Sequence, residues 1–208
     1  MGDVIRPIFT IDIDRTKSID ILDQANLTIH QKILLDGYLD KSFMMSILCD
    51  YTRNYYYKAG IILTIPTILL SAILCVFNAI GTNNIPNHHH FILTITNIVI
   101  NGIITFIASL HSLLKINDKF NQFQTLTTKF AKLEHYIENN ITNYPDKINE
   151  VFIDEIIKTY DALIDDIDFT FPEFIKKQIK LKYKDKRTMP NVLNGDKKPV
   201  LLQDLHHK

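Results

Sequence analysis

The stretch AGIILTIPTILLSAILCVFNAI at residues 59–80 and the stretch FILTITNIVINGIITFIASLHSLL at residues 91–114 determine the fold class of this chain. Residues 59–114 contain no Asp, Glu, Lys or Arg, although 22% of the 208 residues are charged. Soluble domains join short buried segments through charged turns, so this composition excludes an ordinary water-soluble globular enzyme. At about 1.5 Å per residue, each stretch is long enough to cross a hydrocarbon core roughly 30 Å thick as a helix.

The segment between the two stretches, GTNNIPNHHH at residues 81–90, contains the turn formers Gly, Pro and Asn. We therefore predict a hairpin of two transmembrane helices, at residues 59–80 and 91–114, joined by an extracytoplasmic loop at residues 81–90. Pro66 lies within the first span. Bilayer helices tolerate proline where neighbours satisfy the freed carbonyl, so a kink is expected there and not a break.

Basic residues indicate the orientation of the hairpin. Arg53 and Lys58 precede the first span, Lys115 and Lys119 follow the second, and the loop contains neither Lys nor Arg. Cytoplasmic flanks of membrane helices are enriched in these two residue types. Both termini are therefore predicted to lie in the cytoplasm, in an integral multi-pass membrane protein.

The flanking segments are predicted to be mostly helical. Residues 27–58 form a juxtamembrane helix that ends in a cluster of tyrosines, which favours the headgroup layer over a recognition site. The second span is expected to continue as one helix from Phe91 to Glu138, because an apolar periodicity without a breaker follows it. Residues 1–26 are compatible with a strand, a helix start or disorder, and residues 186–208 are predicted to be a flexible tail.

Two further helices complete the predicted cytoplasmic segment, residues 115–185. A turn at residues 143–146 makes Asp146 the expected N-cap of the first helix. The predicted apolar face of this helix consists of Val151, Ile156, Tyr160, Leu163 and Ile167. Pro172 and Glu173 mark the start of a shorter second helix. These helices are expected to fold back as a juxtamembrane bundle.

Small and polar side chains follow one face of each span, and large apolar side chains occupy the rest. The two polar stripes consist of Thr64, Thr67, Ser71 and Asn78 in the first span and of Thr94, Asn97, Asn101, Thr105, Ser109 and Ser112 in the second. A polar amide in hydrocarbon needs a partner, so these faces are expected to point at protein or water. Two interpretations stay open. The stripes pack against each other, or the second stripe lines an aqueous path, which requires an oligomer because two helices cannot enclose a pore.

Basic residues near the spans are candidates for contact with lipid headgroups. They are Arg53 and Lys58 before the first span and Lys176, Lys177, Lys180 and Lys182 in the last predicted helix. Each well-placed charge favours anionic lipids by about 1 kcal/mol, although a solvated helix face explains the same pattern. No nucleic-acid-binding signature accompanies the basic run, so no nucleic-acid partner is expected.

No pattern in the chain indicates catalysis. Cys49 and Cys75 form no redox or zinc motif, and the adjacent histidines at residues 88–90 cannot share one helix face, so no metal site is expected. The carboxylates Asp165, Asp166 and Asp168 are interpreted as a solvated helix end. The chain contains no phosphate-binding glycine loop, nucleophile elbow or metalloprotease motif. We therefore predict no enzyme activity, no cofactor and no small-molecule substrate.

Three segments carry a resemblance to a known family. They are DYTRNYYYKAGIILTIPTILLS at residues 50–71, GIITFIASLHSLLKI at residues 102–116 and YDALIDDIDFTFPEFI at residues 160–175. In the first, a basic and aromatic run leads into a motif formed by Thr64, Ile65, Pro66, Ile68, Leu70 and Ser71. The three segments resemble the SLATT family of two-transmembrane effector proteins, and especially its branch in giant and other large DNA viruses. The chain departs from that pattern in having few arginines before the first span.

The resemblance implies an oligomeric effector that perturbs or permeates membranes, as is thought of the bacterial members of the family. Its expected partners are the lipid bilayer and further copies of the chain. The composition supports an alternative, because 34 Ile and 16 Asn against 4 Arg indicate A/T-rich coding. In that alternative the chain is a structural membrane protein of a large DNA virus, located in the virion or in a host membrane at the assembly site. Both hypotheses require an all-α membrane protein.

Overall fold

The computed structural model of the protein describes residues 28–81, 87–183 and 188–193. Every regular element within these ranges is helical and none is a strand, which confirms the prediction of an all-helical chain. The expectations for residues 1–26 and for most of the tail at residues 186–208 lie outside the described residues. The same holds for the side chains of the histidines at residues 88–90.

Five α-helices and two short 3-10 helices form the described structure. The α-helices are α1 (Ile29–Gly81), α2 (Asn87–Leu113), α3 (Ile116–Asn143), α4 (Glu150–Asp165) and α5 (Glu173–Tyr183), and the 3-10 helices are Pro145–Lys147 and Asn191–Leu193. Helix α2 thus begins four residues before the expected second span, within the segment at residues 81–90 predicted to be a loop.

Helix α1 is a single rod of 53 residues that contains both the juxtamembrane segment and the first apolar stretch. At about 1.5 Å per residue it is roughly 80 Å long. A capping box starts it: the Thr28 amide donates to Gln31 Oε1 at 3.0 Å, and the Gln31 amide donates to Thr28 Oγ1 at 3.3 Å. The helix continues through Pro66 without a break.

The second half of the hairpin is interrupted, contrary to the expected single helix from Phe91 to Glu138. Lys115 adopts a left-handed backbone conformation with φ 49°, and its amide donates to the Ser112 carbonyl at 3.1 Å. A lysine in this conformation costs about 1–2 kcal/mol. The break brings Ile116, which is only 4% exposed, against Gly60 of α1, and burial of this side chain offsets the cost.

Helix α1 packs antiparallel to α2 and α3. Asn78 near the end of α1 contacts Asn97 near the start of α2, whereas Tyr56 in the middle of α1 stacks on Phe123 of α3. Residues earlier in α1 therefore contact residues later in α2 and α3. The two apolar stretches lie side by side, and the charged parts of α1 and α3 continue side by side beyond them.

Burial is concentrated in the charged half of the molecule, where α1, α3, α4 and α5 share one hydrophobic core. Its most completely buried side chains include Leu35, Met44, Met45, Leu48, Phe123, Phe130, Ile137, Ile156 and Ile179. On α3, for example, Phe123, Leu126, Phe130, Leu133 and Ile137 are buried at intervals of three or four residues, so this helix turns one apolar face inward. The second 3-10 helix adds Leu193, and the Thr188 amide donates to Asp40 Oδ2 at 3.0 Å.

Helix α4 starts differently from the prediction. Its N-cap is Asn149, whose Oδ1 accepts a hydrogen bond from the Phe152 amide at 2.9 Å, whereas Asp146 lies in the preceding 3-10 turn. Val151, predicted to be on the apolar face, is 75% exposed, and Phe152 and Ile153 are buried instead. The larger Phe152 side chain occupies the core, and in this orientation of the helix the side chain of Val151 points outward. Helix α5 begins at Glu173, one residue after Pro172.

In the other half of the molecule, most apolar side chains are exposed on the surface. Helix α1, within Ile29–Ala79, and helices α2 and α3, within Phe91–Asn143, contain one window each that is long and apolar enough to cross a membrane, with mean hydropathy 2.5 and 2.1. None of either window is buried, whereas the core helix of a soluble protein is mostly buried. The chain therefore has two long apolar helices that could span a membrane.

Candidate functional site

The predicted polar stripes lie mainly on the outer surface of the two apolar helices. Thr67 and Asn97 are half-buried, and the other stripe residues are exposed: Thr64, Ser71, Asn78, Thr94, Asn101, Thr105, Ser109 and Ser112. The motif residues Ile65 and Pro66 are exposed as well. The stripes therefore do not pack against each other along their length.

Apolar side chains form most of the contact between the two stretches. The half-buried apolar positions are Leu63, Leu70, Leu74 and Phe77 on α1 and Leu93, Ile100, Ile104, Ile107 and Leu110 on α2. They recur at intervals of three, four or seven residues, as the contact face of a packed helix does. The polar faces are left available to whatever surrounds the monomer.

A hydrogen bond links the two stripes. Asn97 Nδ2 donates to Asn78 Oδ1 at 2.8 Å, close to the ends of the helices. Asn97 Oδ1 is buried and has no partner within the described part of the chain. A side-chain hydrogen bond between membrane helices contributes about 0.6–2 kcal/mol, so this pair holds the tip of the hairpin together.

Four of the hydroxyl groups of the stripes, and that of the neighbouring Thr96, are satisfied within their own helices. Thr67 Oγ1 donates to the Leu63 carbonyl, and Thr105 Oγ1 donates to the Asn101 carbonyl, each at 2.8 Å. Ser71, Thr96 and Ser109 bond in the same way to the carbonyl four residues earlier. Such hydroxyls need neither water nor a neighbouring helix to sit in hydrocarbon.

Asn101 differs from these hydroxyl residues. Its side chain is exposed at the middle of α2, and within the described residues its amide group has no hydrogen-bond partner. The adjacent Gly102 has open space where a Cβ would lie, so no contact within the monomer requires a glycine there. An unpartnered amide and a small residue together make this part of α2 suited to close approach by another helix.

Of the six residues predicted to contact headgroups, three have a polar partner in the described structure and three form no ion pair there. Arg53 forms an ion pair with Asp50 at 2.5 Å, and Lys176 pairs with Glu173. Lys182 Nζ donates to the Tyr51 hydroxyl at 3.4 Å. The other three, Lys58, Lys177 and Lys180, are exposed and form no ion pair with another described residue.

Helix α5 runs away from the apolar helices. Its Phe174 ring lies 5.1 Å from the ring of Tyr55, near the start of the first apolar stretch, and Lys182 lies beside Tyr51, one α1 turn farther away. Successive lysines of α5 therefore lie at increasing distance from the apolar half. The lysines of α5 thus do not lie at one common distance from the apolar half.

A cavity of about 290 Å³ lies where the two apolar stretches meet the charged half. It is lined by Tyr55, Tyr56, Ala59, Leu114, Ile116, Lys119, Thr170 and Pro172. Lys119 Nζ lies 5.3 Å from the ring centre of Tyr56 and 5.7 Å from that of Phe169. Sequence reasoning used Lys119 only as an indicator of orientation and missed this site, because its wall comes from three separate segments.

The acidic cluster at the end of α4 is part of a tertiary contact. Asp166 forms an ion pair with Lys129 at 2.7 Å, and Asp168 Oδ2 accepts a hydrogen bond from Gln122 at 2.9 Å. These bonds attach the end of α4 to α3. Within the described residues no group of three His, Cys, Asp or Glu side chains is placed to hold a metal ion.

Cys49 and Tyr160 are buried titratable groups in the core of the charged half. Burial, and secondarily the charge of Asp50, raises the pKa of the Cys49 thiol well above its ordinary value of 9.0. Burial, together with Tyr38, Asp161 and Cys49, likewise raises the pKa of Tyr160 above 10.0. Both groups stay neutral in the folded protein, so neither is an activated nucleophile.

Comparison of the chain with protein-family models, with curated proteins and with solved structures finds no match.

Proposed function

We propose that this protein is a two-pass membrane protein, with both termini in the cytoplasm, that assembles with copies of itself and perturbs or permeates the bilayer. The role is non-catalytic. The proposed assembly surface is the polar face of α2 around Asn101, and the resemblance of the chain to SLATT effectors supports the same function.

The observation that carries this proposal is the unpartnered amide of Asn101. Burial of an amide without a hydrogen bond costs about 1–3 kcal/mol by mutational data and more in pure hydrocarbon. The facing helix offers it no partner, because the contact between α1 and α2 is mainly apolar. An amide both donates and accepts, so the Asn101 side chains of neighbouring copies can satisfy one another or a shared column of water.

The test compares two substitutions on α2 in protein reconstituted into liposomes. Asn101→Leu removes the amide, and Ile103→Leu introduces the same side chain at a neighbouring exposed position. We expect the wild type and Ile103→Leu to form oligomers and to pass ions. Asn101→Leu should weaken assembly about tenfold or more, given 1–3 kcal/mol per protomer. A wild-type protein that stays monomeric and passes no ions contradicts the proposal.

A second function is favoured by the hydroxyl groups that bond within their own helices. Because these groups need no water, the stripe can serve as a dry packing surface, as a structural membrane protein of a large DNA virus requires. In that case Asn101→Leu disrupts assembly although the wild type passes no ions. Absence of the chain from purified virions and from assembly-site membranes excludes this second function.

A further inference from the structure

Lys119 carries a positive charge that no carboxylate neutralises within the described residues. Some other basic residues of the charged half have such partners: Lys129 pairs with Asp166, and Arg53 pairs with Asp50. Lys119 is half-buried on the wall of the cavity at the junction of the two halves. A half-buried ammonium group without a counter-charge favours binding of an anion.

Two aromatic rings hold this ammonium group in place. The ring centres of Tyr56 and Phe169 lie 5.3 Å and 5.7 Å from Lys119 Nζ, within the range of cation–π attraction. Such contacts orient the side chain but leave its net charge intact. The position of the charge is thus set by the fold, before any ligand arrives.

The cavity wall has a polar part and an apolar part. Lys119, Thr170 and the tyrosines supply an ammonium group and hydroxyls, and Ala59 and Leu114 supply apolar surface. Ala59 and Leu114 are the first and last residues of the uncharged stretch. The apolar side of the cavity is therefore continuous with the two apolar helices, and the polar side faces the charged half.

We propose that this cavity binds the phosphate group of an anionic phospholipid, with the phosphate on Lys119 and the acyl chains running past Ala59 and Leu114 along the spans. The inference rests on the proposed membrane insertion. The cavity volume of about 290 Å³ suits a lipid headgroup and not a whole lipid. A free phosphate ion would leave the apolar wall unused, so a lipid is the source that fits both sides of the cavity.

The test measures lipid retention by the full-length protein. The protein is reconstituted in phosphatidylcholine containing phosphatidylglycerol, extracted in mild detergent, and analysed by native mass spectrometry. Lys119→Met keeps the length of the side chain and removes its charge, and Lys132→Met is a matched change at an exposed position on the same helix. We expect Lys119→Met to retain about fivefold less phosphatidylglycerol, as loss of one well-placed charge predicts, and Lys132→Met to behave like the wild type.

Further variants and a competition distinguish the remaining outcomes. Ala59→Leu fills the apolar side of the cavity with Lys119 intact and should also lower retention, which covers the case that Lys119→Met fails to fold. Inorganic phosphate should not displace the lipid, and displacement would assign the site to a free anion. Equal retention by membrane-inserted wild type, Lys119→Met and Ala59→Leu overturns the proposal.

This result is separable from failure of the proposed function. Asn101→Leu should lose assembly and still retain the lipid, whereas Lys119→Met should lose the lipid and still assemble. Release of the wild-type chain from membranes by alkaline carbonate would overturn the proposed function and the lipid site together.

Discussion

Replacement of Phe123 by alanine should destabilise the charged half of the molecule more than most single substitutions. Phe123 is fully buried, stacks on Tyr56 at 5.9 Å between ring centres and contacts Phe171 at 5.1 Å. It thereby joins α3 to α1 and to the segment before α5. Truncation of a buried phenylalanine costs about 3–5 kcal/mol, which includes the cavity left behind. The equilibrium constant for unfolding should rise more than a hundredfold.

The assay is a urea titration of the purified protein in dodecylmaltoside, followed by far-ultraviolet circular dichroism. Phe174→Ala is the matched control, because Phe174 is 53% exposed and its loss should cost less than about 1 kcal/mol. Limited proteolysis should show that α5 becomes cleavable first in Phe123→Ala. Equal stability of the two variants would refute the assignment of Phe123 to the core.

Three further predictions follow from buried groups and from the contact between the stripes. In a Cys75→Ser variant, N-ethylmaleimide should modify the buried Cys49 only after denaturation in dodecyl sulfate, and rapid modification of the folded protein contradicts the structure. A double-mutant cycle of Asn78→Leu and Asn97→Leu should give a coupling of about 0.6–2 kcal/mol in dodecyl sulfate unfolding, and strict additivity would exclude their hydrogen bond. Burial raises the pKa of Tyr160, so its neutral side chain stabilises the folded protein fully below pH 10.0. This stabilisation is lost as pH rises further, because only the unfolded state then releases the proton. The loss should approach about 1.4 kcal/mol per pH unit for this group, and Tyr160→Phe should make the stability curve correspondingly flatter.

The all-helical architecture and its two apolar helices could be predicted from the sequence because they depend on local properties. A long uncharged run and a periodicity of three to four residues act within one segment, so they need no knowledge of distant partners. The reciprocal cap at Thr28 and Gln31 belongs to the same class.

The interruption at Lys115 could not be predicted in this way. Neither Gly nor Pro occurs at this position, and lysine ordinarily disfavours the left-handed conformation found there. The compensation comes from Ile116 against Gly60, a residue on another helix. Only the pairing of α1 with α3 makes the break favourable.

The start of α4 shows a second limit. Asp146 and Asn149 are both suitable N-caps, and Val151 and Phe152 are both apolar. Local propensity does not choose between these pairs. The choice depends on which side chain the core can accommodate, and Phe152 occupies that position.

The polar stripes could be located from the sequence, but the direction in which they point could not. Helical spacing places Thr105 and Ser109 on one face without specifying what that face meets. The structure shows that apolar side chains form most of the contact between the helices and that most stripe residues lie outside it. The cavity at Lys119 was missed for a related reason, since its residues are close only in the folded chain.

Helix α1 is continuous through both halves of the molecule, so a tilt of its apolar stretch also displaces its other end. From Ile29 to Lys58 the rod extends about 45 Å beyond the first apolar stretch at roughly 1.5 Å per residue. A tilt of that stretch by about 10° would swing the far end by roughly 8 Å over this length. The second apolar helix is not part of such a continuous rod, because Lys115 interrupts the helix between α2 and α3. Because α3, α4 and α5 pack against the same part of α1, such a tilt would move the whole hydrophobic core of the charged half with it.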